Sequence, residues 1–513
     1  MKVRVDGHSL SLADIVLVAE CRADVEPRAE ALKRIERGRA VLERVLREDK
    51  VAYGVNTGVG ELRTVIIPRP KIMQLQLNLV RSTACGVGEP LPEDVVRAMM
   101  LLRANALSSG HSGVRVELVR MLLNMLNSEV VPVVPRKGSV GSSGDLAPLA
   151  HMALVMVGEG EALYQGKRMP GAEALSQAGL EPVRLHEKEG LALINGTQMM
   201  TAIGCLCLHR AEHFLHAATV AAAMGVEALK GTSQAFDARL FRLRSHPGAE
   251  KVASELRALL VGSQIIPSHQ DCHEVQDAYT LRCAPQVLGA CWDSLAFAIK
   301  VLEREVNSVT DNPLVFEDGS VVSGGNFHGQ PVAMALDQAC LAVHVAAAFS
   351  ERRIARLVDG KLSHLPDFLV KSEGLESGMM IMQYVAAALV CENKLLSSPA
   401  SADSLPTSAN QEDYNSMGSW AALKLMQVME NAERVVAIEL ICEAQALEFQ
   451  KLRPGAGVQA AKRRVRSAVK RLTDDRPMHE DIEAVRNMIV AGALDPENII
   501  SKRISKSSGK APR

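Results

Sequence analysis

The residues best suited to unusual chemistry lie in a short segment rich in glycine and serine, Gly138–Asp145. If the amide nitrogen of Gly144 attacks the carbonyl carbon of Ser142, the backbone closes into a five-membered ring. Loss of water from this adduct and of the Ser143 hydroxyl then leaves an exocyclic methylidene group. Glycine is needed at the third position because a Cβ would block the close approach. The product would be an electrophile, which the nucleophilic side chains of unmodified proteins do not supply.

A flexible linker is the ordinary interpretation of such a composition. The flanking sequence argues against it. A run stiffened by proline, Val131–Pro135, comes before the segment, and an apolar helical pattern from Leu146 to Met156 follows it. Such a pattern is typical of a buried helix. The segment is therefore predicted to be a loop held against the core.

The residues Gly138–Ala150 resemble the signature of the histidine and aromatic amino acid ammonia-lyases. In that family an Ala-Ser-Gly tripeptide cyclises to 4-methylidene-imidazol-5-one, the MIO group. Ser142 stands where the family usually has alanine, and its side chain projects from the ring without entering the chemistry. The resemblance therefore implies an MIO group made from Ser142, Ser143 and Gly144, with no external cofactor.

Three further residues would have ordinary interpretations without this resemblance. Tyr53, in the glycine-rich loop Val51–Gly60, would be a surface or packing residue, and Asn195 a cap or turn residue. Phe327 would be part of the core. The resemblance makes Tyr53 the general base and places Asn195 beside the MIO ring and Phe327 near the substrate. Because a free phenol has a pKa near ~10, we expect the site of Tyr53 to favour the phenolate.

Gln276, Tyr279 and Arg282 are spaced i, i+3, i+6 and are predicted to share one face of a helix. A polar stripe is ordinarily solvated, but this one lies among apolar residues, and an arginine fork suits a carboxylate. The resemblance assigns the same three residues to the substrate site, with Tyr279 among the catalytic residues.

Two positions bear on the substrate. Histidine lyases usually read Ser-His, and tyrosine lyases His-Leu, at the pair occupied here by Ser82 and Thr83, which would bind the substrate side chain. Glu412, whose ordinary role would be helix capping, lies in a Gln-Glu-Asp sequence that resembles the histidine lyases. A carboxylate in a pocket can pair with an imidazole. The leading hypothesis is conversion of L-histidine to trans-urocanate and ammonia, with Glu412 among the catalytic residues.

Other hypotheses remain open. A tyrosine or phenylalanine ammonia-lyase, or an MIO-dependent 2,3-aminomutase, would use the same group. A catalytically inactive helical scaffold would not form it.

Composition narrows the class of protein. The 513 residues carry a net charge of −1 and include 47% hydrophobic but only 3% aromatic residues. We therefore expect no nucleic-acid or membrane partner and an aliphatic, helical core. Ten cysteines without CxxC pairs favour a reduced, cytoplasmic protein, and no His/Cys spacing implies a metal. The family resemblance implies a homotetramer that binds a small amino acid.

The fold that the resemblance implies is mostly α: an N-terminal domain carrying the MIO loop (1–200), a domain of long antiparallel helices (201–480) and a C-terminal helix with a basic, disordered tail (481–513). It is the architecture of the fumarase and aspartase group, although the GSSxMPxKxNP loop of that group is missing from the sequence. Long helices are predicted over 332–357, 378–396 and 418–453. A β-hairpin is predicted to turn at Asp318-Gly319.

Overall fold

The computed structural model describes residues 2–48, 50–269, 275–372 and 374–500. Most of these residues are helical, which confirms the predicted fold class. The first eight helices are α1 Leu12–Ala19, α2 Ala29–Arg47, α3 Ile72–Thr83, α4 Glu93–Ser108, α5 Val116–Asn127, α6 Leu146–Met156, α7 Gly171–Gln177 and α8 Glu189–Ile194. The next eight are α9 Gln198–Ala228, α10 Ala238–Leu243, α11 Pro247–Leu259, α12 Tyr279–Arg282, α13 Ala284–Glu305, α14 Gln330–Val358, α15 Gly360–Ser363 and α16 Met380–Leu396. The last four are α17 Gly418–Ala446, α18 Ala456–Arg466, α19 His479–Val490 and α20 Pro496–Ile500.

The strands are short and form small separate sheets. They are β1 Lys2–Val5, β2 Asp24–Pro27, β3 Val87–Pro90, β4 Val131–Pro132, β5 Pro135–Lys137, β6 Glu161–Tyr164, β7 Lys167–Pro170, β8 Leu314–Val315 and β9 Val321–Val322. Strands β1 and β2 pair in parallel, while β3–β5, β4–β6–β7 and β8–β9 are antiparallel. The predicted hairpin is the β8–β9 pair, in which Gly319 (φ +92°) supplies the left-handed turn residue.

The chain folds into two compact units that are discontinuous in sequence. The first contains residues 1–207, 298–337 and 399–423, and the second contains 208–297, 338–398 and 424–513. Helices α9, α13, α14 and α17 have residues in both units. The domain bounds 1–200, 201–480 and 481–513 stay predictions, and the tail from Lys502 lies outside the described residues.

The first unit has a helical core around α4, which is buried along most of its length and packs against α1 and α5. Helix α1 begins with a capping box between Ser11 and Asp14. Helix α6 packs against α3 and α8. This packing matters for the site, because the Gly138–Asp145 loop leads directly into α6.

The second unit is built largely from the long helices. The predictions for α14 and α16 are confirmed, whereas α17 ends at Ala446 and not at Arg453. Its last turn is closed by shorter i to i−3 bonds, from Glu448 N to Gln445 O at 3.0 Å and from Phe449 N to Ala446 O at 3.1 Å. Such tightening is common where an α-helix ends.

Helix α14 is, within the described residues, the one helix long and apolar enough to cross a membrane. In its most apolar window, 61% of the residues are buried inside the fold. A core helix of a globular protein has the same length and composition, so this helix is weak evidence for a membrane segment.

Candidate active site

A cavity of about 470 Å³ in the first unit is lined by residues from six separate stretches of the chain. Six of the residues singled out from the sequence line it: Tyr53, Thr83, Ser143, Asn195, Phe327 and Glu412. Thr83 is the last residue of α3, and Asn195 directly follows α8 as its C-cap. The packing of α3 and α8 on α6 therefore brings these residues together with the serine loop.

The Ser142–Gly144 tripeptide is held in a tight turn. Gly144 has φ +76°, and a Cβ at this position would lie 2.1 Å from the carbonyl oxygen of Gly196. The next residue, Asp145, donates its amide to that same oxygen at 2.6 Å. Ser142 and Gly144 are buried, while Ser143 is half-buried and reaches the cavity. Only glycine can occupy position 144 without moving the neighbouring backbone.

The loop is supported from a distant part of the sequence, 416–419. Ser416 Oγ donates to Gly141 O at 3.2 Å, and Met417 N donates to Val140 O at 2.9 Å. Ser419 Oγ lies 2.7 Å from both Ser139 Oγ and Asp145 Oδ1. These bonds hold both ends of the tripeptide.

Asp145 is fully buried at the start of α6. Desolvation raises its pKa to about 6, although hydrogen bonds from Met200 N, at 2.9 Å, and from Ser419 Oγ act in the opposite direction. Its carboxyl group links the loop to α9 and α17, whose first residues are Gln198 and Gly418.

Tyr53 reaches the cavity from the glycine-rich loop, and its hydroxyl oxygen accepts a hydrogen bond from Gly60 N at 2.9 Å. Its pKa is raised, chiefly by desolvation and further by the negative charge of Glu412. The Gly60 amide and the Arg63 guanidinium lower the pKa of Tyr53. The expectation that the surroundings favour the phenolate is therefore wrong for the residues of one chain, because burial and the charge of Glu412 together outweigh these two contributions.

Glu412 is held by two hydroxyl groups. Ser142 Oγ and Thr407 Oγ1 both donate to Glu412 Oε2, the latter at 3.0 Å. The two hydroxyls are themselves 3.3 Å apart, and the backbones of Thr407 and Glu412 form an antiparallel bridge. The serine that replaces the family's alanine thus contacts the carboxylate expected to bind the substrate side chain.

The comparison with known proteins decides the family. Residues 10–467 match the model of the family described as aromatic amino acid lyase. The chain belongs to this family. It is therefore a carbon–nitrogen lyase, and members of the family use the MIO group.

Relatives match over nearly the whole chain. A protein named histidine ammonia-lyase from Deinococcus radiodurans is 54% identical over 489 residues, covering 95% of this chain and 93% of its own. Among solved structures, histidine ammonia-lyase from Trypanosoma cruzi is 42% identical with a TM-score of 0.90, covering 100% of this chain and 99% of its own. Tyrosine aminomutase from Streptomyces globisporus is 36% identical with a TM-score of 0.92, and both chains are covered completely.

The tripeptide of this aromatic amino acid lyase fits the MIO group. Gly144 lies where a Cβ has no room, and the side chain of Ser143, which would become the methylidene, faces the cavity. Ser142 is buried on the other side, against Thr407 and Glu412. The polar contacts around the loop hold its backbone in place and leave the Ser143 side chain on the cavity wall.

Besides Ser142 and Gly144 of the tripeptide, four residues assigned from the sequence do not line this cavity. Ser82 is exposed at the end of α3, and its hydroxyl lies 3.4 Å from Leu79 O. Gln276, Tyr279 and Arg282 belong to the second unit, where Gln276 lines a different, smaller cavity. Tyr279 is 69% exposed and stacks with the Arg282 guanidinium, which lies 4.6 Å from the ring centre.

The helix predicted to carry these three residues is also shorter than expected. Helix α12 contains Tyr279 and Arg282, but Gln276 precedes it. Ala278 is extended, because the Asp277 carboxylate accepts the amide of Thr232 at 2.7 Å and its carbonyl oxygen accepts from Arg282 Nε at 3.0 Å. The Asp271–Glu274 part of the motif lies outside the described residues.

Sequence reasoning missed several residues that build the site. Ser408 and Gln411 line the cavity and adjoin Glu412 in the same motif, so the motif itself could have indicated them. Arg63 follows the glycine-rich loop closely enough to be a candidate as well. Lys188 and Asp311, which lie behind Asn195, carry no local sequence signal, because only the fold brings them together.

Proposed function

We propose that this chain eliminates ammonia from L-histidine to give trans-urocanate. The observation that carries the proposal is the pairing, in one cavity, of the Ser143 side chain with the Glu412 carboxylate. The first can become part of an electrophile, and the second can bind an imidazole. Relatives named histidine ammonia-lyase that are 50–54% identical over nearly the whole chain support the same substrate.

Within this proposal, Ser142, Ser143 and Gly144 form the MIO group, which supplies an electrophilic carbon for the substrate amine. Tyr53 removes a proton from the β-carbon, after losing its own proton to solvent. The amide of Gly60 and the guanidinium of Arg63 stabilise the phenolate against burial. Exclusion of bulk water by the half-buried loop makes these two contacts stronger than they would be at the surface.

The remaining roles are binding and orientation. Arg282 holds the substrate carboxylate through its planar fork. Gln276 and Tyr279 belong to the same part of the site as the substrate carboxylate, and Tyr279 is also among the catalytic residues. Thr83, Ser82 and Phe327 lie along the substrate side chain in this proposal, of which Thr83 and Phe327 line the cavity.

The substrate is tested by replacing Glu412 with glutamine. We expect kcat/KM for histidine to fall about tenfold to a hundredfold, because a hydrogen bond to a charged group is lost. For phenylalanine, whose ring offers no partner, the change should be much smaller. The measurement is initial rates with histidine, tyrosine and phenylalanine for wild type, Glu412→Gln and Thr83→His.

Asp413→Asn is the matched control, since it removes the neighbouring exposed carboxylate by the same change. Wild type that prefers phenylalanine, or Glu412→Gln that turns over histidine at the wild-type rate, would contradict the histidine assignment. Chromatography of the products separates the alternatives, because an aminomutase returns a β-amino acid and a lyase releases free ammonia. The aminomutase among the solved structures makes this comparison necessary.

We further propose that the active form is a cytoplasmic homotetramer with shared sites. In a single chain the second unit exposes large apolar side chains, among them Val275 at 96% and Leu375 at 87%. Such residues are typical of a surface covered by another subunit. Seven cysteines in the described part of the chain, among them Cys21, Cys85 and Cys391, are free thiols, which fits a reducing compartment.

Shared sites are tested by mixing two inactive chains. Tyr53→Phe and Arg282→Lys, co-expressed with different tags and purified through both, should regain activity if Tyr53 and Arg282 of one site come from different chains. Random mixing would then restore about a quarter of the sites, since each contributing position is wild type in about half of them. No recovery in the mixed oligomer would assign both residues to one chain, and a fully active monomer in sedimentation would overturn the assembly.

A further inference from the structure

A buried ion pair lies directly behind Asn195 in the first unit. Lys188 Nζ is 2.7 Å from Asp311 Oδ2, and both side chains are 0% exposed. The other carboxylate oxygen, Asp311 Oδ1, accepts from Asn195 Nδ2 at 3.3 Å and from the amide of Asn312 at 2.7 Å. A fully buried lysine and aspartate are unusual unless they are paired, and here the pair touches a residue of the cavity wall.

These contacts determine which way the Asn195 amide points. Its Nδ2 group donates to Asp311 Oδ1 and, at 3.1 Å, to Asn312 O, so both donors have acceptors. Turning the amide over would place Oδ1 against these two oxygens, which repel it. In the observed orientation Oδ1 is buried without a hydrogen-bond partner, in a residue that lines the cavity. An unpaired buried oxygen is costly, so it provides a ready acceptor for a ligand N–H.

The local backbone supports the same arrangement. Lys188 adopts a left-handed conformation (φ +70°) just before α8, and Asn195 follows the last residue of that helix. Arg103, also fully buried, donates through Nη1 to Asn195 O at 3.1 Å and to Thr310 O at 3.0 Å, directly before Asp311. Both ends of α8 are therefore tied to the 310–312 segment.

We propose that Lys188 and Asp311 are positioning residues that hold Asn195 with its Oδ1 toward the cavity, where it accepts a hydrogen bond from the substrate amine. Lys188 donates to Asp311 Oδ2, which leaves Asp311 Oδ1 to accept from Asn195 Nδ2 and the amide of Asn312. The identity of the donor rests on the proposed function, whereas the orientation of the amide rests on the contacts of this chain.

Asp311→Asn tests the orientation of the Asn195 amide. The amide introduced at position 311 has one oxygen and cannot accept from Lys188, Asn195 and Asn312 together. Lys188 attracts the new oxygen, which turns the new NH2 group toward Asn195 and Asn312 N–H, where it meets donors. Asn195 is then expected to turn over. Adding Lys188→Met removes the attraction, so the oxygen of the introduced amide can return to Asn195 and Asn312. The double variant should therefore recover the affinity for histidine that the single variant loses.

The measurement is binding by calorimetry in the Ser143→Ala background, where turnover is expected to fall on the order of 10³-fold or more. The two ligands are L-histidine and 3-(imidazol-4-yl)propionate, which lacks the amine. We expect Asp311→Asn to weaken histidine binding about tenfold to a hundredfold and to leave the analogue within about threefold, with recovery in Lys188→Met/Asp311→Asn. Asp318→Asn, an exposed carboxylate in the β8–β9 turn, is the matched control.

Equal weakening of both ligands, or unchanged histidine binding, would overturn the inference. If Asp311→Asn does not fold, Asn195→Ala takes its place, and it must weaken histidine selectively for the inference to hold. Failure of the proposed function is distinguishable, because the Ser143→Ala protein with wild-type Asp311 would then bind neither histidine nor the analogue.

Discussion

Replacing Ser143 with alanine is expected to lower ammonia release by on the order of 10³-fold or more, because the electrophile can no longer form. The fold should persist, since the Ser143 hydroxyl makes no hydrogen bond within the described part of the chain. Intact-protein mass spectrometry checks the cause. Wild type should weigh less than its encoded mass by two water molecules, and Ser143→Ala should lack the methylidene.

Ser142→Ala is the matched control within the same tripeptide. It restores the residue usual in the family and should keep the mass loss of the wild type, because the side chain at this position stays outside the ring. Wild type at its full encoded mass would contradict MIO formation, and with it the ammonia-lyase and aminomutase hypotheses.

Tyr53→Phe is expected to have the second largest effect, a loss in kcat of about 10² to 10⁴, the range for a general base, with KM changed much less. The pH dependence has a defined sign. The pKa of Tyr53 is raised, so the fraction of phenolate, and the rate with it, should increase with pH on the alkaline side. Because the charge of Glu412 contributes to this increase in pKa, Glu412→Gln should move that limb of the profile to lower pH.

The pH profile of kcat for wild type, Tyr53→Phe and Glu412→Gln is the measurement. Tyr164→Phe serves as the control, because it removes a tyrosine hydroxyl from β6 in the same unit. A Tyr53→Phe enzyme with wild-type kcat, or one that keeps the wild-type alkaline limb, would show that another group takes the proton.

Local sequence patterns predicted the elements that depend on local physics. The β8–β9 turn and helices α14 and α16 each follow from local patterns, and each is present. Helix ends were predicted less well. Helix α17 stops short of Pro454. Helix α12 begins after Gln276, since the contact of Asp277 with the distant Thr232 competes with helix continuation.

The site also divides into residues that sequence motifs indicate and features that depend on the folded chain. Six of the predicted residues meet in one cavity, since the family motifs carry them. The Tyr53 pKa was predicted with the wrong sign, because burial and the charge of Glu412 depend on the folded chain. The Lys188–Asp311 pair could not be predicted either, since its members are separated by more than a hundred residues and neither belongs to a motif.

The support of the serine loop by residues 416–419 also sets the order of events during synthesis. A ribosome synthesises the Ser142–Gly144 tripeptide long before it reaches Ser416. The emerging N-terminal part therefore lacks the hydrogen bonds from residues 416–419 that hold both ends of the turn. Long-range contacts of this kind form late, once the loop between them has closed. The cyclisation that we propose for this tripeptide would therefore follow the synthesis of about four-fifths of the polypeptide, once residues 416–419 can contact the loop.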